Sequence, residues 1–314
     1  MNNASHTPLV SVLVPMYAVE NYIARCAESL FAQTYPAIEF IFVDDGGPDR
    51  TVEVLRGVLA AQEPALQART RIISKANEGL PLARKACLDA ATGEYVLHVD
   101  ADDWIEPGTV EKLVRKALET DADMVVFDFW KECANRSKPR GEKESSIVDP
   151  NLFRRRLYLY GSYGYLWEKF CRKSLFDDLY FPRLAMYDDV VMCTQVLYRT
   201  RKIVHLRERL YHYDQTNAGS TTRKPKASRD ADTARNLLDL YLHYKGQSPS
   251  PVEDVQDIIL LRSAWIAFSE ERHLFEEYPF LADAALALPL PFLRTFHPGL
   301  FKQWKLKRFL RSAR

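Results

Sequence analysis

Glu94-Tyr-Val-Leu-His-Val-Asp-Ala-Asp-Asp103 sets an apolar-leaning run against three carboxylates, Asp100, Asp102 and Asp103. A continuous apolar run suits a strand buried on both faces, and in α/β proteins such strands deliver their chemistry at the carboxyl edge. Three acids within four residues repel one another unless a cation or a satisfied hydrogen-bond network holds them. A hard divalent metal with oxygen ligands is the simplest holder, and it points in turn to a phosphate-bearing substrate. The plainer alternative is a solvated turn in which Asp102 or Asp103 caps the helix expected from Pro107.

Working outward, the same alternation of strand and helix fills the first half of the chain. Leu9–Pro15, Ile38–Val43, Arg71–Ser74 and Asp123–Phe129 read as strands, and Glu20–Thr34, Thr51–Gln62, Leu80–Ala91 and Pro107–Glu119 as helices. Strands separated by helices of 10–15 residues imply an α/β fold, a mostly parallel central sheet with helices on both faces. Residues 132–149 turn polar and charged, as a loop or an exposed hairpin tip. Asp188-Asp189 opens a helix to Arg199, and Lys202–Leu206 and Arg209–Tyr213 read as two short strands. From Ala227 the pattern is helical, which places a domain change near residue 220.

The chain has 314 residues, 47% of them hydrophobic, with a formal net charge of +1. That balance argues against nucleic-acid binding as its main task. Five scattered cysteines without a CxxC pair suggest reduced thiols in a cytoplasmic setting. The N-terminal residues lack the pattern of a signal peptide, and no apolar run approaches the ~18 residues of a spanning helix.

Four segments in order carry a resemblance over roughly residues 8 to 222: Val10-Ser-Val-Leu-Val-Pro-Met-Tyr17, Ile41-Phe-Val-Asp-Asp-Gly46, Asn77-Glu-Gly-Leu-Pro-Leu-Ala-Arg84 and Gly93 to Asp103. Together the pattern resembles inverting glycosyltransferases of family 2, which have the Rossmann-like GT-A fold. Trp167-Glu-Lys-Phe170, Tyr187-Asp-Asp-Val190 and Tyr211-His-Tyr213 resemble the acceptor side of bacterial capsule, exopolysaccharide and lipopolysaccharide transferases. The resemblance divides the chain into a transferase domain at 1–220 and a helical region with a basic tail at 221–314. Within the domain, 8–130 would bind the nucleotide sugar and 131–220 the acceptor.

The resemblance also implies roles. Pro15 and Tyr17 would flank the nucleotide, and Asp45 would accept hydrogen bonds from uracil, since a wrong base would leave it buried and unpaired. Asn77 would supplement the base contacts, and Arg84 would reach the base or diphosphate. Asp100 would touch the ribose, and Asp102 would hold Mn2+ or Mg2+ on the diphosphate oxygens, neutralising the leaving group. Asp103 would orient the metal's waters or the donor sugar. Asp189, with Asp188 beside it, would be the base that takes the acceptor hydroxyl's proton. Each has a plainer reading: a turn or cap residue for Asp45, a surface ion pair for Arg84, first-turn acids for Asp188 and Asp189.

Trp167 is expected either to stack on an acceptor sugar or to sit in the core. His98 reads as a satisfied core histidine. His212 is a candidate near the diphosphate, and Ser220, Thr221 and Arg223 for a loop closing over the donor. The pattern departs from the family at Gly47, Lys85 and Met192. The expected reaction is transfer of a sugar from a nucleotide donor, UDP-linked, to an oligosaccharide or lipid-linked glycan. Phe301–Arg314 carries six basic side chains and no acid among aromatics, which suits peripheral contact with the cytoplasmic face of a membrane or packing on protein; self-association stays open. The rival readings are a sugar-nucleotidyltransferase and a catalytically degenerate carbohydrate-binding or scaffold protein. The first should show a Gly-rich basic loop after the first strand, which Val14-Pro-Met-Tyr17 lacks.

Overall fold

The computed structural model describes residues 7–142, 149–158, 163–220, 223, 225–269 and 272–287. The tail at 301–314 and Thr221 lie outside these residues. Val-Ser-Val-Leu-Val-Pro-Met forms β1 (Val10–Met16), buried at every position. Helix α1 (Ile23–Phe31) follows, then β2 (Ile38–Asp44), α2 (Thr51–Ala60), α3 (Pro64–Ala68), β3 (Thr70–Ser74) and α4 (Leu80–Ala90). Next come β4 (Tyr95–His98), the two-residue β5 (Trp104–Ile105), α5 (Thr109–Thr120), β6 (Met124–Cys133) and β7 (Arg136–Arg140). The rest of the chain adds α6 (Pro150–Tyr158), β8 (Lys169–Arg172), α7 (Asp188–Arg199), β9 (Ile203–Asp214), α8 (Lys226–Tyr244), α9 (Gln256–Ser269), α10 (Leu274–Glu277) and α11 (Phe280–Ala287).

The strands join one sheet in the order β3-β2-β1-β4-β8-β6-β9-β5, with β7 paired to β6. β3, β2, β1 and β4 run parallel, and the inner β1, β2 and β4 are the largely buried runs that a sheet covered on both faces requires. β8 is antiparallel to both β4 and β6, so the sheet becomes mixed at that strand. The two short strands expected at 202–213 are one continuous strand, β9, parallel to β6. Register shifts around Asp128 absorb the irregularity that the sequence pattern suggested as a break. The polar stretch after Glu132 folds in part as a hairpin, with β7 antiparallel to the far end of β6. Helix α5 starts at Thr109 with Gly108 at its N-cap and no side-chain cap, so the acidic turn does not cap it.

The described residues form two compact units. The first contains the sheet, from the described residues within 7–150, 165–179 and 199–218. The second gathers the described residues within 151–164, 180–198 and 219–287. The chain passes between the units five times, the last at 218/219, so two earlier segments belong with the C-terminal helices. Inside the second unit, Ala234 and Leu238 of α8 pack with Leu261, Ala264 and Ala267 of α9 and with Leu274 and Leu281.

Candidate active site

The acidic turn follows β4 at the carboxyl edge of the parallel strands, where each acid meets a different partner. Asp100 Oδ1 lies 3.1 Å from the guanidinium of Arg84, which is itself 1% exposed. Asp102 Oδ2 accepts a hydrogen bond from Asn217 Nδ2 at 2.9 Å. Asp103 is 0% exposed. Its Oδ2 accepts from the Tyr211 hydroxyl at 2.7 Å and its Oδ1 from the Asp214 backbone N–H at 2.7 Å. The same Tyr211 oxygen accepts the Asp100 backbone N–H at 3.0 Å. Arg25, from α1, donates to the Asp102 carbonyl and to Asp214 Oδ2 and lies 3.8 Å from the centroid of Trp104. Trp104 stacks in turn on His212, whose ring nitrogens lie 2.8 Å from Glu106 and 2.8 Å from Glu132.

Concentrated negative charge shows in the titration of the turn. Burial, then the charge of Asp100, pushes the Asp102 carboxyl up to about 6 against the pull of the Asn217 bond. Burial and the same neighbours hold Asp103 well above the ordinary range. The Cys26 thiol beneath the turn is raised by burial and by all three acids.

The burial of two candidates bears on their roles. Asp103 does not face a ligand, because both its oxygens are spent inside the protein tying the turn to β9. Trp167 presents no open face: it is 1% exposed and stacked against Tyr211 and Tyr165, with Phe129 at its edge. The core reading of Trp167 is the one the structure shows. His98 is buried as expected, but neither ring nitrogen has a hydrogen-bond partner, so it is not a satisfied histidine.

The second cluster lies after β1 and β2. Pro15 is buried in register with Val43, and Tyr17 is 50% exposed just past the strand. Asp45 is 2% exposed and accepts from Lys75 Nζ at 2.7 Å, from the Glu78 N–H at 3.0 Å and from the Gly79 N–H at 2.7 Å. Its carboxylate therefore shapes the 75–79 segment, where Asn77 stands exposed, and Oδ2 keeps one lone pair beyond the Gly79 bond. Gly79, at φ 91, is the N-cap of α4. Helix α4 is thus held at its start by Asp45 and, one turn on, holds Asp100 through Arg84. This link couples the two clusters into one frame.

In the second unit, Asp188 and Asp189 open α7. Asp188 is 3% exposed, whereas Asp189 is half-exposed. Tyr187, just before them, sits at φ 68 in the left-handed region with its ring 4.3 Å from the Arg262 guanidinium carbon. Asn236 Nδ2 pins the preceding segment by donating to the carbonyls of Leu184 and Met186, each at 2.7 Å. Strained backbone of this kind persists only where the surroundings hold it.

Sequence reading missed Arg25, Asn217, Tyr211 and Asp214, which hold the turn. Only the aromatic alternation of Tyr211-His-Tyr213 hinted at one of them. Among the described residues no group of three or more His, Cys, Asp or Glu side chains stands ready to hold a metal. One exposed-edge carboxylate with substrate phosphates and water is, however, a donor set that suits Mg2+ or Mn2+. No described helix is long and apolar enough to cross a membrane.

The family model described as Glycosyl transferase family 2 matches residues 11–179. The chain is 31% identical over 226 residues to the uncharacterized glycosyltransferase EpsJ of Bacillus subtilis, covering 69% of this chain and 64% of that protein. It therefore spans less than two thirds of that relative. Among solved structures, S. aureus TarS 1-349 in complex with UDP-GlcNAc superposes with a TM-score of 0.68 at 21% identity, covering 97% of this chain and 87% of that one. The mannosyltransferase PcManGT from Pyrobaculum calidifontis, in complex with GDP-Man and Mn2+, gives 0.55 at 20% identity over 98% of this chain and 86% of that one. At these identities the structural likeness speaks for the fold.

Proposed function

The chain belongs to glycosyl transferase family 2 and is a glycosyltransferase of GT-A fold, and from that premise we propose that it transfers a sugar, with inversion, from a UDP-linked donor to a hydroxyl of a surface-glycan acceptor with the aid of Mn2+ or Mg2+. The observation that carries this reading is the acidic turn at the strand edge, with Asp100 fixed by Arg84 and Asp102 left as the acid whose charge the protein least offsets. The membership leaves no support for the nucleotidyltransferase alternative.

In this reading Tyr17 lies on the base, Pro15 closes the strand end beneath it, and Asp45 and Asn77 read its edge. Asp100 takes the ribose and Asp102 the ion, whose charge would offset that developing on the diphosphate. Arg84 orients Asp100 through its guanidinium. Asp189 removes the acceptor hydroxyl's proton as the oxygen bonds to the anomeric carbon and the nucleoside diphosphate departs. Its exposure favours it over the buried Asp188. Residues 8–130 serve the donor, 131–220 the acceptor, and 221–314 form the helical region. We place the protein on the cytoplasmic side, where nucleotide sugars are made.

The test is release of nucleoside diphosphate from a panel of UDP- and GDP-sugars with Mn2+ or Mg2+, with and without EDTA. A UDP-sugar should be consumed only when metal is present, and Asp189→Asn should lower kcat by at least ~100-fold. Turnover unchanged by EDTA would remove the ion from the proposal. Preference for a GDP-sugar would remove the assignment of the base.

A further inference from the structure

The hairpin of β6 and β7 gathers positive charge on one face. Opposite residues in antiparallel strands point to the same side, and the register sets Phe129 against Arg140, Lys131 against Lys138 and Cys133 against Arg136. The parallel neighbour β9 sets Tyr211 beside Phe129 and Tyr213 beside Lys131. The same face therefore carries Lys131, Arg136, Lys138 and Arg140 next to an aromatic cluster. In that cluster Tyr165 and Tyr213 lie 5.6 Å apart over Trp167, and both are half-exposed.

None of the four cations forms an ion pair with a carboxylate among the described residues. Lys131 and Lys138 stand directly opposite each other, an arrangement that costs stability. Charge and proline on an edge strand also discourage pairing with other chains, which accounts for Pro139 and for charge on β7. It does not account for Lys131 on the inner strand, aimed at the same face as Lys138. The face also adjoins the acidic turn: Tyr213 precedes Asp214, whose N–H is bonded to Asp103, and Tyr211 reaches Asp100 and Asp103 from the same side.

We propose that this face binds the acceptor and that the acceptor is an anionic glycan, bearing carboxylate or phosphate groups along its chain. Tyr165 and Tyr213 offer rings to sugar faces. Lys131, Arg136, Lys138 and Arg140 meet the acid groups, with successive cations on β7 about 6.8 Å apart, two residues of extended chain. The proposal rests on the glycosyltransferase reading and names its acceptor class.

The experiment measures binding of the whole protein to hexagalacturonate, to a glycerol-phosphate oligomer and to neutral maltohexaose at low and high salt. One charged oligomer should bind at least about tenfold more tightly than maltohexaose, and salt should erase the difference; which of the two binds separates carboxylate from phosphate. Combining Lys131→Gln, Arg136→Gln, Lys138→Gln and Arg140→Gln should abolish the preference while leaving the melting temperature equal or higher, since a repulsion is removed. Equal binding of charged and neutral oligomers, or a preference that survives the four substitutions, overturns the proposal. So does tighter binding to phosphatidylglycerol vesicles or single-stranded DNA with the same dependence on the four residues, which would make the face a lipid or nucleic-acid surface. Nucleotide release by the wild type tests the parent reading separately: an inactive protein that still binds the charged oligomer through these residues would refute the reaction and keep the surface.

Discussion

Tyr211→Phe removes one oxygen atom and leaves the ring that stacks 4.3 Å from Trp167. That oxygen donates to Asp103 Oδ2 at 2.7 Å and accepts the Asp100 N–H at 3.0 Å, with Tyr211 and Asp103 both 0% exposed. The substitution leaves one acid oxygen and one backbone donor unpaired in places water reaches poorly. A hydrogen bond of this kind contributes about 1 kcal/mol when neutral and about 1.5–3 when one partner is charged. Two such bonds are lost with one oxygen, so the expected loss is about 2–3 kcal/mol. With a urea dependence of about 3 kcal/mol per molar, the unfolding midpoint should drop by roughly 0.7–1 M. Turnover should fall about tenfold, because the turn that carries Asp100 and Asp102 loses its tie to β9 and small misplacements are costly in rate. A double-mutant cycle with Asp103→Asn should show coupling of about 1–2 kcal/mol. A midpoint within about 0.2 M of the wild type, together with additive effects in the cycle, would refute the claim that this hydroxyl holds the turn.

Glu168 is 0% exposed, with Oε1 2.7 Å from Lys169 Nζ and Oε2 without a partner, and burial raises its carboxyl to about 8 despite Lys169. Between the ordinary 4.5 and about 8 the folded chain keeps a proton that the unfolded chain has released, so stability should fall as pH rises across that window, by at most ~1.4 kcal/mol per unit. Glu168→Gln should flatten this slope in urea titrations between pH 5 and 8, whereas a loss of about 3–5 kcal/mol at pH 7 would mean that the pair is ionised. His98 has the opposite sign: burial lowers it to about 3, so below its ordinary 6.5 the unfolded chain takes up a proton that the folded chain refuses. His98→Leu should therefore gain about 1–2 kcal/mol at neutral pH and lose less stability on acidification, measured by thermal melts from pH 4 to 7. Gly46→Ala should raise the donor KM and cost about 2 kcal/mol or more, because φ is +71 and the new Cβ would sit 2.9 Å from the Asn77 nitrogen; unchanged donor kinetics would uncouple the Gly46 loop from the base contacts.

Legibility followed the distance over which each residue is determined. β1 and β2 were readable because burial on both faces forces a continuous apolar run, as at Ile41-Phe-Val43. The position of the acidic turn was readable for the same reason, since it begins where such a run stops. The fate of each acid was not. Asp103 meets Tyr211 across 108 residues of chain and Asp102 meets Asn217 across 115, and no local pattern announces a contact made only when β9 joins the sheet. The sequence left Trp167 between sugar platform and core because stacking on a sugar and stacking on Tyr165 and Tyr211 ask for the same residue type. At β7 the sequence left loop and hairpin tip undecided because Arg-Ser-Lys-Pro-Arg has little strand propensity; its pairing comes from the length of β6 beyond the end of β8.

Three acids in four residues pose an electrostatic problem that the fold solves unevenly, and the unevenness is informative. Asp100 has the guanidinium of Arg84, a full opposite charge on a helix fixed by Asp45. Asp103 has two donors and is withdrawn from solvent, and burial raises its carboxyl well above the ordinary range. Asp102 has one neutral amide, and burial, then the charge of Asp100, raises its carboxyl to about 6. Had the turn served only to shape the chain, the least costly arrangement would pair or protonate every acid, because an unoffset buried carboxylate costs more than a turn residue contributes. The charge left over sits on Asp102, whose side chain has the single amide of Asn217 as its hydrogen-bond donor. A divalent ion arriving with a diphosphate would remove that cost, so ion and donor should bind with positive coupling: Mn2+ affinity should rise when UDP is present, and Asp102→Asn should abolish the increase while sparing UDP binding without metal.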